Sequence, residues 1–484
     1  TTFIAKIITI KMINSYLSRQ ITQNFPYDPT EDQVLALNLL SNFLLSEESD
    51  SLLLLKGYAG TGKTSLVGAL VKTMAELKQK SILLAPTGRA AKVMARHTGL
   101  GASTIHKKIY RQKSSADPEP GFSLDFNREK DACFIVDEAS MLSASADAGS
   151  PFGSGSLLDD LFQYVRQGTR CRILFVGDDA QLPPVGHDRS PALDPDFMAA
   201  YGAVEYGTLD EVMRQSDDSG ILFNATMVRC MLEAGITEPP LFEMSYPDFR
   251  AIDGGEFLEK VEECYSRYGR EETIVITRSN RRANRFNEGI RRHVLFAEEE
   301  IESGDMLMVV KNNYYFTERE EEPHMDFMAN GDTARLVKLR RFEEFYGFRF
   351  AEARLSFPDY DDYEIECKIL LDTLASEAPA LTHEQGNALF YAVSEDYEHI
   401  RSKAKRYKEV RENPHFNAVQ VKFAYAVTAH KAQGGEWKAV FIDRMLFGDE
   451  PMSRDLMRWL YTALTRASEQ VYLVNFDERF FGNG

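Results

Sequence analysis

Gly57-Tyr58-Ala59-Gly60-Thr61-Gly62-Lys63-Thr64 combines three glycines and a lysine at the spacing G-x-x-x-x-G-K-[ST]. A loop of this kind suits a polyphosphate. Its glycines let backbone N–H groups turn toward phosphate oxygens, the following helix N-terminus adds positive potential, and Lys63 neutralises β and γ phosphates. Gly57, Ala59, Gly60, Thr61, Gly62, Lys63, Thr64 and Ser65 are therefore the candidate nucleotide contacts, and Thr64 is a candidate Mg2+ ligand. A second cluster, Asp137-Glu138-Ala139-Ser140, closes an apolar run at 132–136. Asp137 there can hold the Mg2+ shell while Glu138 orients and deprotonates an attacking water. Acids also favour helix N-termini, so it is the pairing with the phosphate loop that selects the catalytic reading. A third cluster, Gly177-Asp178-Asp179-Ala180-Gln181-Leu182-Pro183-Pro184-Val185, follows a run at 172–176. Gln181 beside a γ phosphate can report which nucleotide is bound, and the two prolines stiffen the segment after it.

Chemistry of this kind needs elements that bring the clusters together. From 30 to 245 the chain repeats strand, turn and helix, with buried-strand runs at 52–56, 81–85, 132–136 and 173–176, each followed by a polar cluster. The pattern predicts a parallel sheet with helices on both faces and ligands at the carboxyl ends of its strands. A second such unit starts near 272 with a strand at 273–277 and a helix at 280–294, and resumes at 418–427, 439–442 and 471–474. Between these parts, 335–371 alternates apolar and charged residues as short antiparallel strands do, and 382–411 reads as charged helix. The expected division is an N-terminal extension at 1–24, a first domain at 25–245, a second at 246–334 and 418–484, and an insertion at 335–417.

With 484 residues, two or more domains are expected. The five cysteines, Cys133, Cys171, Cys230, Cys264 and Cys367, form no C-x-x-C pair, which excludes a disulfide scaffold or zinc ribbon and suits a reducing, cytoplasmic setting. The nine histidines form no ligand-spaced cluster. Apolar runs are strand-sized, so no membrane span is expected, and 4–10 lacks the core and cleavage site of a secretory signal. Met12 is the first methionine, and residues 1–11 read as an upstream extension. Acids outnumber Lys plus Arg by 74 to 56, a net charge of −18 that gives no bulk attraction to nucleic acid. Groups that grip a phosphate backbone must then be gathered locally. The richest basic stretch holds Arg278, Arg281, Arg282, Arg285, Arg291 and Arg292, for which DNA contact and a solvated or acid-paired face both stand.

In this order the motifs resemble those of a superfamily 1 DNA helicase of the B subclass, in the RecD-like and Dda-like family, from about Pro29 to Val474. The resemblance implies an α/β fold: two RecA-like parallel-sheet P-loop domains, with a small β-barrel-like and helical insertion in the second. Thr30-Glu31-Asp32-Gln33 resembles the Q motif, with Gln33 at the adenine edge. Ala85-Pro86-Thr87-Gly88-Arg89 and Ser103-Thr104-Ile105-His106 resemble motifs that line the single-strand channel. Met213-Arg214-Gln215 resembles the segment supplying an arginine to the γ phosphate, and Asn330-Gly331-Asp332 the turn into the barrel. Ala429-His430-Lys431-Ala432-Gln433-Gly434-Gly435-Glu436-Trp437 matches motif V, whose glutamate touches nucleotide. Tyr461-Thr462-Ala463-Leu464-Thr465-Arg466-Ala467 matches motif VI, with Arg466 as arginine finger.

The resemblance thus implies a catalytic set of Lys63, Glu138, Gln181, Arg214 and Arg466, ATP and Mg2+ as cofactors, and Pro86, Thr87, Arg89, Thr104, His106, Phe122, His430 and Lys431 against DNA. His106 and His430 also suit core histidines. Residues 111–131 are expected as a protruding hairpin with Pro118, Pro120 and Phe122 at its tip, a pin that parts the duplex, with a plain loop as the rival. Single-stranded DNA and junctions with duplex are the expected partners, movement 5′ to 3′ follows from the resemblance alone, and a monomer is expected, with repair complexes or single-strand-binding proteins as further partners. The competing function is a nucleotide-gated DNA-binding subunit that unwinds little alone.

Overall fold

The computed structural model describes residues 2–46, 51–112, 122–145, 153–212, 219–319, 325, 327–444 and 451–482. The chain forms two compact units, Thr1–Tyr246 with Pro451–Thr465, and Pro247–Glu450 with Arg466–Gly484. The helix Arg454–Leu464 therefore belongs to the first unit, whereas the expected division left 418–484 wholly in the second.

In the first unit six parallel strands lie in the order Ala102–Thr104, Lys80–Ala85, Ala132–Val136, Arg172–Gly177, Leu52–Gly57, Val204–Leu209. The central runs are continuous apolar sequence because helices cover both faces; every residue of Ala132–Val136 is buried. Since the strands are parallel, the residues after Gly57, Ala85, Thr104, Val136 and Gly177 all emerge on one edge. One face is closed by the helix Thr2–Asn24, whose Leu17 and Ile21 pack with Leu37, Leu40 and Phe43 of the helix Glu31–Leu45 and with Leu66 and Leu70 behind the phosphate loop. Each fully buried side chain of this size contributes about 1.5–3 kcal/mol.

The second unit holds a five-stranded parallel sheet in the order Ala426–Thr428, Thr273–Thr277, Trp437–Asp443, Ala467–Val474, Phe249–Ile252. Beside it is a closed barrel of Met306–Val309, Thr333–Phe345, Phe348–Phe357, Tyr363–Leu370 and Val419–Phe423. The barrel extends past the expected 335–417 at both ends. The run at 418–427, where the second domain is expected to resume, holds two strands: Val419–Phe423 closes the barrel and Ala426–Thr428 edges the parallel sheet. Tyr425 makes the break, its hydroxyl donating to Asp305 Oδ1 at 3.0 Å and accepting the Met306 N–H at 3.0 Å. The charged segment at 382–411 is likewise two helices, His383–Glu395 and Lys403–Arg411.

Candidate active site and nucleic-acid contacts

The phosphate loop leaves its strand at Gly57 and enters the helix Lys63–Glu76 through Gly62, whose φ of +81° suits glycine. Glycine is required at Gly57 for space: a Cβ there would lie 2.8 Å from Thr61 Oγ1 and 2.9 Å from Leu209 Cβ. Lys63 Nζ donates to the carbonyls of Gly57 at 2.5 Å and Tyr58 at 2.7 Å, which holds the ammonium over the loop. Thr64 and Ser65 open the helix, half-buried. Gln33 is fully buried, and its amide is shared by two backbones: Nε2 donates to the Thr61 carbonyl at 2.9 Å, and Oε1 accepts the Thr30 N–H at 3.0 Å in a capping box. In this arrangement Gln33 braces the loop from behind.

Asp137 and Glu138 follow the buried strand Ala132–Val136. Glu138 has a φ of +51°, a conformation L residues seldom adopt and one that gathers at functional sites. Its N–H donates to Asp137 Oδ1 at 2.8 Å. Burial and the neighbouring Glu138 carboxylate push the Asp137 carboxyl up to about 6, against the pull of Lys63. Two half-buried acids side by side near a phosphate loop form a donor set suited to a divalent cation. Gln181 is buried, and among the described residues its Oε1, like Ser140 Oγ, has no hydrogen-bond partner, so polar atoms remain for a ligand.

Three neighbours went unassigned in the sequence. Asp178, at the end of the strand Arg172–Gly177, is buried and holds the Ala180 N–H through Oδ1 at 3.0 Å. Burial raises its pKa while Lys63 opposes the shift. Tyr461 donates to Asp178 Oδ2 at 2.6 Å and accepts the Ala59 N–H at 2.8 Å. Arg229, on the helix Gly220–Glu233, lies 4.2 Å from the Tyr58 ring centroid and 3.3 Å from Glu233, propping the phosphate loop from one side. The available signals were the strand end for Asp178 and the motif VI string for Tyr461; Arg229 had none.

The remaining catalytic candidates are elsewhere. Arg466, in the second unit, is buried, and its Nη1 donates to the Gly435 carbonyl at 3.2 Å, so it lies beside the Gly434-Gly435-Glu436 turn. Glu436 is half-buried. Arg214 is outside the described residues.

Among the DNA candidates, Thr87 and Thr104 are helix N-caps, accepting the N–H groups of Ala90 and Lys107 at 3.2 Å each. Pro86 and Arg89 flank the first cap, half-buried. His106 is half-buried, and desolvation lowers its pKa to about 4, so it is neutral at ordinary pH. His430 is exposed, which removes the core-histidine reading, and desolvation lowers its pKa too. Lys431 Nζ bonds Asn330 Oδ1, and burial with Lys422 nearby brings it down to about 8. Phe122 is not at a tip: it starts the strand Phe122–Leu124, which pairs with Tyr110–Gln112 as the stem of a hairpin. Pro118 and Pro120 fall outside the described residues. In the basic stretch, Arg291 pairs bidentately with buried Asp305 at 2.8 Å, Arg282 pairs with buried Asp443, and Arg281 and Arg292 pair with Glu377 and Glu288. Those four are acid-paired.

Residues 40–229 match the model of an AAA domain, and residues 423–474 match that of a UvrD-like helicase C-terminal domain. The ATP-dependent RecD2 DNA helicase of Deinococcus radiodurans is 33% identical over 29% of this chain and 18% of its own. Matches to an AAA domain and to a UvrD-like helicase C-terminal domain thus lie in one chain, the pairing that the order of its motifs implies. Uncharacterized protein R530 of Acanthamoeba polyphaga mimivirus is 22% identical over 91% of this chain and 98% of its own. The chain thus spans nearly all of the viral relative but under a fifth of the Deinococcus one. A Pif1 helicase from Bacteroides, solved with ADP-AlF3 and single-stranded DNA, covers 95% of each chain at 13% identity and a TM-score of 0.46. The Pif1 helicase of Candida albicans covers 94% of this chain and 96% of its own at 15% identity and a TM-score of 0.38. Among the described residues no helix is long and apolar enough to cross a membrane.

Proposed function

We propose that this chain is an ATP-driven motor that tracks along single-stranded DNA from 5′ to 3′ and unwinds duplex ahead of it. The carrying observation is the shared edge of one parallel sheet, where the phosphate loop, Asp137-Glu138 and the Gln181 loop all emerge. Lys63 holds the β and γ phosphates, Glu138 takes the proton of the attacking water, and Gln181 hydrogen-bonds the water or γ phosphate. Thr64 and Asp137 would hold Mg2+, whose charge offsets that gathering on the phosphates. Arg466, with Arg214, completes charge stabilisation when the units close, so that hydrolysis and the DNA grip of residues such as Lys431 alternate together.

The test uses duplexes carrying a 5′ or a 3′ single-stranded tail, with ATP and Mg2+, for the wild type and Lys63→Ala. Unwinding from the 5′ tail and loss of turnover in the variant are expected. Preference for the 3′ tail overturns the polarity. ATP turnover that ignores DNA, with no unwinding of either substrate, overturns the motor and favours the nucleotide-gated binding subunit.

A further inference from the structure

The helix Arg454–Leu464 carries Arg458, Tyr461 and Thr462 at spacings of three and four residues, on one face. All three bond the loops of the ATP site within the first unit. The Tyr461 hydroxyl spans Asp178 Oδ2 and the Ala59 N–H at 2.6 and 2.8 Å; Thr462 Oγ1 accepts the Leu182 N–H at 2.9 Å; Arg458 Nη1 donates to the Asp188 carbonyl at 2.6 Å. Asp178 and Leu182 bracket Gln181. Tyr461 is 1% exposed, and burial together with the Asp178 carboxylate keeps its hydroxyl protonated, hence a donor to that carboxylate. Two residues beyond the helix comes Arg466, the first residue of the chain's return to the other unit.

We propose that Tyr461 and Thr462 are positioning residues that tie the phosphate loop and the Gln181 loop to the segment bearing Arg466, so that nucleotide state is passed along one helix. The inference rests on the ATPase reading above. Its physical basis is competition and satisfaction. Ala59 N–H is a donor of the phosphate loop, and while it is bonded to Tyr461 it is withheld from a phosphate oxygen. This half-buried N–H donates to one partner or the other, so a nucleotide that claims it releases the hydroxyl from the loop and leaves it on Asp178 alone. The Leu182 N–H, held by Thr462, gives the same helix a second grip on the loop carrying Gln181. Neither side chain is asked to touch the reacting atoms.

The test compares the full-length wild type with Tyr461→Phe and Thr462→Val, each of which removes one oxygen at nearly constant shape. For each, ATP hydrolysis is measured with and without a thymidine oligonucleotide, alongside thermal melting. For Tyr461→Phe the KM for ATP stays level or falls, because a competitor for the Ala59 N–H is gone. Its kcat with DNA falls about tenfold further than its kcat without DNA, the size of one charge-assisted hydrogen bond. Thr462→Val shows the same loss of stimulation without the fall in KM. A merely structural role would lower the melting temperature and both rates in step, and that result overturns the proposal. So does full DNA stimulation in both variants. A wild type that hydrolyses ATP equally with and without the oligonucleotide counts instead against the DNA-stimulated ATPase reading itself.

Discussion

Asp332 offers the sharpest test of how this chain handles buried charge. It follows Gly331 in the turn Asn330-Gly331-Asp332, is 1% exposed, and receives the Ala329 N–H at 2.7 Å and the Tyr360 hydroxyl at 3.2 Å on Oδ2, while Oδ1 has no partner among the described residues. Burial pushes its pKa up from the model-peptide value of 3.8 to about 7, with the Asp359 carboxylate adding to the rise. Because the folded pKa is raised, the folded state prefers the protonated acid. The stability this gives is fully present below pH 3.8 and is lost as pH climbs to about 7. At 1.36 kcal/mol per unit, ionisation costs the fold about 4 kcal/mol once pH exceeds 7. Between pH 5 and pH 8 the cost grows by about 3 kcal/mol. Asp332→Asn keeps an acceptor for Ala329 and Tyr360 but cannot ionise. It should melt close to the wild type at low pH and higher at pH 8, with the gap widening by roughly 5–10 °C from pH 5 to pH 8 for a unit of this size. Melting curves of both proteins across that range decide the matter. A gap that is the same at pH 5 and pH 8 would refute the assignment of the buried acid.

Gly60 has a φ of +77°, and a Cβ there would lie 2.6 Å from both Leu222 methyl carbons, so Gly60→Ala should raise the KM for ATP about tenfold, with Leu222→Ala restoring part of the loss. Nucleotide titrations of the single and double variants check this. Arg291→Ala strips the buried Asp305 of its bidentate partner and should cost about 3–5 kcal/mol of stability, with single-strand affinity unchanged in what remains folded. Denaturant unfolding and DNA titration separate the two effects. Lys431, lowered to about 8, should lose its charge as pH rises from 7 to 9, so DNA affinity falls across that range in the wild type and less so in Lys431→Ala. The same variant should reduce the slope of log affinity against log salt by about one unit, measured by fluorescence anisotropy.

What was readable in the sequence was local. The phosphate loop needs glycines, a lysine and a flanking strand within a few residues, and the acids after 136 and the glutamine loop after 177 sit where parallel strands end, so their convergence followed from the pattern alone. Long-range partners were not readable. Nothing within ten residues of Arg291 names Asp305 as its counter-ion, nor Asp443 that of Arg282, and the basic stretch therefore looked equally suited to DNA. The division at Tyr425 was hidden for the same reason: apolar residues run on both sides of it, and the partners of its hydroxyl, Asp305 and the Met306 N–H, lie far back along the chain. Phe122 was misplaced because proline and aromatic content mark a hairpin without fixing its register, which the pairing of Gln112 with Phe122 supplies.

Because residues 451–465 fold with the first 246 while their flanks fold with the other body, the polypeptide passes between the two units three times. Neither body can be cut out as one uninterrupted stretch of gene. A protein ending at Tyr246 would keep the whole nucleotide loop yet leave Asp178 and the Ala59 amide without Tyr461, and would fold poorly for want of fifteen distant residues. Recombination that shuffles such bodies as modules would have to carry both together.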